Sequence, residues 1–99
     1  MKIKTNKFLA KQLAKSNIPT YNHTKAIEEL NELATVLTQR VNKPTKVSSK
    51  KIIEEIGDVR QRLAVLEEIY GKKKIQKRIE YKENKLLGYL KSNKYRKKV

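Results

Sequence analysis

Between residues 24 and 70 the apolar side chains recur at intervals of three and four, and the pattern stops once, at Asn42-Lys43-Pro44-Thr45. Spacing of that kind gathers side chains on one face of an α-helix. Pro44 marks a boundary because a proline disfavours helical geometry at the preceding residue, here Lys43. Before the break, from about Thr24 to Val41, the face comprises Ile27, Leu30, Leu33, Ala34, Leu37 and Val41. After it, Ser48 and Ser49 are candidate caps for a helix whose face comprises Ile52, Ile56, Val59, Leu63, Leu66 and Tyr70. Gly71 stands where the residue just past a helix end belongs. Only about six residues join the two helices, so they are expected to run antiparallel as neighbours.

The flanking regions carry weaker versions of the pattern. Residues 5–16 hold Phe8, Leu9, Leu13 and Ala14, and Asn17-Ile18-Pro19 interrupts them. Asn22 and Thr24 have the side chains to cap the following helix. A fourth helix is expected from Lys74 to Ser92 on Ile75, Ile79, Leu86, Leu87 and Leu90, followed by a basic tail at 94–99. The chain shows no strand alternation and no internal repeat. The expectation is an all-α, antiparallel bundle of three to four helices in one domain spanning 1–99, with its core at about 21–90.

Composition narrows the chemistry. The chain has 99 residues, no Cys and one His, His23. That excludes a disulfide framework, a thiolate metal site, a Cys nucleophile and any site needing two histidines from one chain. No apolar run approaches the length of a membrane span. The opening residues, MKIKTNKFLAKQLAKS, lack the apolar stretch of a secretory signal, so the expected setting is cytoplasmic, with no membrane partner.

The net charge is +15 and it is uneven. Residues 1–24 hold five Lys and no acid, whereas residues 72–99 hold twelve Lys or Arg and two Glu. Residues 25–71 hold eight basic and eight acidic residues. The middle therefore keeps carboxylates against the trend of the chain. They form two short motifs, Glu28-Glu29-Leu30-Asn31-Glu32 and Glu55-Ile56-Gly57-Asp58, one on each long helix. Glu29 and Glu32 lie three apart and so share a side, as do Glu55 and Asp58. Both pairs flank the apolar faces, close enough to the helix interface to converge. Four converging carboxylates repel one another unless a cation neutralises them, and oxygen donors in that number suit Mg²⁺ or Mn²⁺. Gly57 costs about 1 kcal/mol against Ala inside a helix, and its missing side chain would let the facing helix or a ligand approach. From spacing alone, Glu28 and Glu54 read as solvated surface acids.

The pattern E-E-x-x-E followed by E-x-x-D, with the flanking text His23 to Leu33 and Ile52 to Val59, resembles the signature of the MazG-like, all-α nucleoside triphosphate pyrophosphohydrolases, in their short phage-type form. The resemblance runs over about residues 21–90 and extends weakly to Tyr81-Lys82-Glu83-Asn84-Lys85. It implies that Glu29, Glu32, Glu55 and Asp58 are Mg²⁺ (or Mn²⁺) ligands and that Glu28 or Glu32 accepts a proton from the attacking water. It also implies cleavage of a nucleoside triphosphate between the α and β phosphates, giving the monophosphate and pyrophosphate. Lys25, Lys82 and Lys85 are then candidate phosphate contacts. Where many members carry an aromatic residue after the second motif, this chain has Arg60 and Arg62.

The basic ends admit a reading of another class. Lys72-Lys73-Lys74 and Lys94-Tyr95-Arg96-Lys97-Lys98 would attract polyanions through counterion release. The alternative function is a non-catalytic, small basic helical protein that binds nucleic acid or a protein partner. His23 serves equally as a nucleotide contact or a capping residue, and the five tyrosines read as core edges rather than base-stacking platforms. One modest core and one apolar face per helix favour a homo-oligomer, a dimer or tetramer.

Overall fold

A computed structural model describes residues 2–15 and 20–92. The described residues form four α-helices, α1 (Lys7–Ala14), α2 (Tyr21–Asn42), α3 (Ser49–Tyr70) and α4 (Lys72–Lys91), with a 3₁₀ turn at Pro44–Lys46. No strand occurs among them. None of the helices in this part of the chain is long and apolar enough to cross a membrane. The expected break at Asn17-Ile18-Pro19, the end of the 5–16 helix at Ser16 and the tail at 94–99 lie outside the described residues.

Local signals set most helix ends. Asn6 caps α1, its side-chain oxygen accepting from the Leu9 amide at 2.9 Å. Lys43 leaves helical geometry before Pro44, and Pro44 opens the 3₁₀ turn. Ser48 Oγ accepts from the Lys51 amide at 3.1 Å, which caps α3 as expected. Gly71, at φ 107°, occupies the left-handed region that glycine tolerates without a Cβ clash, and it separates α3 from α4.

The start of α2 differs from the sequence expectation. The helix begins at Tyr21 rather than near Thr24, and its flanking Thr20 makes no side-chain cap bond. Asn22 does not cap. It is buried, and its Nδ2 donates to the Leu13 carbonyl at 2.9 Å. Leu13 lies in the last turn of α1, where carbonyls have no partner within the helix. Tertiary demand from α1 thus draws Asn22 inward.

The chain divides into two compact units, Met1–Ile69 and Tyr70–Val99. In the first, Ala10 of α1 packs with Ala64 and Val65 of α3, and Leu13 and Ala14 lie against them. Ala26, Val36, Val47 and Val59 are also buried. Arg40 Nη1 donates to the Val47 carbonyl at 2.8 Å and ties the end of α2 to the connection. In the second unit, α4 has no buried residue. It is braced along its own surface by Gln76 to Glu80 at 3.2 Å and by the Arg78 guanidinium, 4.7 Å from the Tyr81 ring centre.

The expected core faces need correction. On α2, Ile27, Leu30, Ala34, Leu37 and Val41 are exposed. The buried side runs one position over, through Asn22, Ala26 and Val36, with Glu29 and Leu33 half-buried. On α3, Ile56 and Tyr70 are exposed, while Glu55, Val59, Ala64 and Val65 are buried. Apolar periodicity identifies the most hydrophobic stripe. Which stripe is covered depends on the partner that the connection brings alongside.

Candidate metal and phosphate site

Acids of both motifs, one on α2 and one on α3, come near enough to act on Glu29. The carboxyl of Glu29 is held above its ordinary range, first by partial desolvation and then by the negative charges of Glu32 and Asp58. A hydrogen bond with Glu32, which favours the protonated form, adds to this, and so does the charge of Glu55. The other three carboxylates therefore all act on Glu29.

Glu55 differs from the other three. It is a carboxylate inside the protein, with the residue only 4% exposed. Its Oε1 lies 3.4 Å from Lys51 Nζ, one turn earlier on α3. Its Oε2 is buried and accepts no hydrogen bond within the protein. A buried, half-satisfied carboxylate is costly, so the site has an outstanding demand for a cation or donor. Glu55 opens onto a cleft of about 330 Å³ lined with Asn31, Glu32, Thr35, Val36 and Lys51. The Thr35 hydroxyl donates to the Asn31 carbonyl of its own helix at 2.9 Å, which leaves the carboxylates as the main charged acceptors there.

Carboxylate oxygens are the ligands a hard divalent cation prefers, and Glu55 Oε2 is one without a partner. Among the described residues no three acidic or histidine side chains form a group that could hold a metal. Lys51, which the sequence reading passed over, is the cation already present. Its signal was available in the four-residue spacing to Glu55, the distance at which helical side chains meet.

The remaining candidates lie elsewhere. Glu28 is exposed and pairs with Lys25 at 3.3 Å, so it is not among the charges acting on Glu29. Lys25 sits between Glu28 and the Tyr21 ring, whose centre is 5.8 Å from its ammonium. Lys82 and Lys85 are exposed on α4, in the second unit. His23 is half-buried in the first turn of α2. Tyr70 and Tyr81 are exposed rather than core edges, Tyr21 and Tyr89 are half-buried, and Tyr95 lies outside the described residues. A Cβ built on Gly57 would meet nothing within 4 Å, so the facing helix does not exploit its missing side chain.

No family model, curated protein or solved structure matches the chain.

Proposed function

We propose that the chain is a Mg²⁺-dependent nucleoside triphosphate pyrophosphohydrolase that cleaves between the α and β phosphates. One observation carries the reading: a buried carboxylate with an unpartnered oxygen, Glu55, in the lining of a cleft that Glu32 also lines. Glu29, Glu32, Glu55 and Asp58 would hold the ion, which supplies charge neutralisation of the triphosphate and a more acidic bound water. Glu32, exposed and in the lining of the same cleft, would take a proton from an attacking water. Glu28 fits that role less well because Lys25 holds it. Lys51 contributes positive charge in the same cleft and so is a better phosphate contact than Lys25.

The test is pyrophosphate release from a panel of ribo- and deoxynucleoside triphosphates with Mg²⁺ or Mn²⁺. Release from wild type should fall on the order of a hundredfold or more in Glu55→Gln and Glu32→Gln, with helical circular dichroism retained. A folded wild type that releases pyrophosphate from none of them overturns the reading.

A specific observation favours the second reading too. α4 buries nothing and presents Lys72, Lys73, Lys74, Lys77, Lys82 and Lys85 outward. On that reading the chain binds nucleic acid without catalysis. Its affinity would fall steeply with salt and would depend on these lysines rather than on Glu55.

A further inference from the structure

α3 carries a second unmet demand, opposite in sign to that of Glu55. Arg62 is half-buried, and its Nη1 is buried with no acceptor within the protein. A guanidinium keeps its charge at any physiological pH, so it cannot escape the cost of a buried, unaccepted N–H by losing a proton. The cost persists until an anion or another acceptor arrives. The helix itself fixes where this donor lies. Arg62 follows Asp58 by four residues and Glu55 by seven. At 3.6 residues per turn it projects about 20° round the axis from Glu55 and about 40° from Asp58, in angle between the two acids. It stands about 6 Å further along the axis than Asp58. An acid four residues before a base is the order in which helical ion pairs form most readily. No ion pair joins Asp58 and Arg62, and Asp58 acts on Glu29. Lys51, on the same side and four residues before Glu55, is already paired with it. Arg62 is the cation of this stripe whose buried donor is uncommitted.

One side of one helix thus presents an acceptor in want of a cation and, two turns on, a donor in want of an anion. A free metal ion answers the first alone, and a free anion the second alone. A metal-bound polyphosphate answers both, with its cation at the carboxylates and its phosphate oxygens at the guanidinium, whose planar fork suits them. We propose that Arg62 is a substrate contact, its guanidinium donating to a phosphate oxygen of the Mg²⁺-bound triphosphate. The assignment rests on the metal reading of Glu55 and Asp58, and it adds to that reading a fixed positive pole that sets which way the phosphate chain runs along α3.

Calorimetric titration of the full chain with inorganic tripolyphosphate in Mg²⁺ tests it. Arg62→Lys keeps the charge and loses the fork, and it should weaken binding roughly tenfold or more. Lys46→Met, which removes an exposed charge in the connection, should change the affinity less than about twofold. Thermal melts without tripolyphosphate separate a binding role from a structural one. Arg62→Met relieves the unaccepted donor, so it should melt no lower than wild type. An affinity unchanged in Arg62→Lys overturns the inference, whether or not Glu55→Gln weakens binding. So does a wild type that binds no tripolyphosphate, or an Arg62→Met that melts well below wild type. A loss in Arg62→Lys with none in Glu55→Gln supports the guanidinium contact and overturns the metal reading alone.

Discussion

Lys51 Nζ lies 3.4 Å from one oxygen of the buried Glu55 carboxylate, and the other oxygen of that carboxylate has no partner within the protein. One half of the group is neutralised by a side chain of its own helix, and the other half is buried without a donor. A lysine in this position stabilises the carboxylate and would compete with any cation drawn to it.

Replacing the lysine should separate those two effects. Lys51→Met is expected to cost about 1 kcal/mol in urea denaturation without divalent ions, a modest figure because the ammonium is more than half exposed. The same variant should bind Mn²⁺ more tightly than wild type in a titration followed by paramagnetic relaxation. Unchanged Mn²⁺ affinity would mean that Glu55 does not take part in metal binding.

Glu29 makes stability depend on pH in a defined direction. Its folded-state pKa is raised above the ordinary 4.5, so the folded form holds its proton to higher pH than the unfolded form does. Stability therefore falls as pH rises from about 4.5 through the raised value, and the loss is complete above it. Glu29→Gln should remove that slope and leave the metal-free protein more stable than wild type at neutral pH. Melting curves from pH 4 to 8 in chelator read the difference directly, and equal slopes in the two proteins would refute it. Adding Mg²⁺ should stabilise wild type more than the variant.

Asn22 should prove structural. Asn22→Ala removes the bond to the Leu13 carbonyl and is expected to cost about 1–2 kcal/mol in urea denaturation. Asn22→Asp should cost more, because a carboxylate cannot donate to that carbonyl and is buried besides. If the aspartate variant were as stable as wild type, the tie between α1 and α2 would be unimportant.

The two glycines on either side of α3's second half should respond oppositely. Gly57→Ala fills open space within a helix and should stabilise by about 0.5–1 kcal/mol. Gly71→Ala forces a Cβ into the left-handed region at φ 107° and should destabilise by about 1–2 kcal/mol. Thermal melts of the two variants check the sign of each.

Much of the local structure was legible in the residues. Pro44 ends α2, Ser48 caps α3 and Gly71 separates α3 from α4, because each acts through the backbone of its own neighbours. The two acidic motifs were legible as well, because three-residue spacing puts each pair on one side of its own helix. The depth of Glu55 was not. Its neighbours Ile52 and Ile56 mark it as a flanking position, and only the packing of α3 turns it inward while Ile56 stays exposed. The roles of Asn22 and Lys51 were hidden for the same reason, since a polar side chain carries no mark of whether it caps, pairs or is buried.

By itself, the sequence determined that this chain is helical, where its helices start and stop to within a few residues, and that two pairs of acids lie on α2 and α3. Those outcomes follow from dihedral preference, capping and the helical repeat, which operate over a few residues. The tertiary structure alone decided which of two adjacent stripes on α2 is covered. Burial depends on what lies opposite: the last turn of α1 meets Asn22, and acids of α3 act on Glu29. The apolar stripe from Ile27 to Val41 is left facing outward.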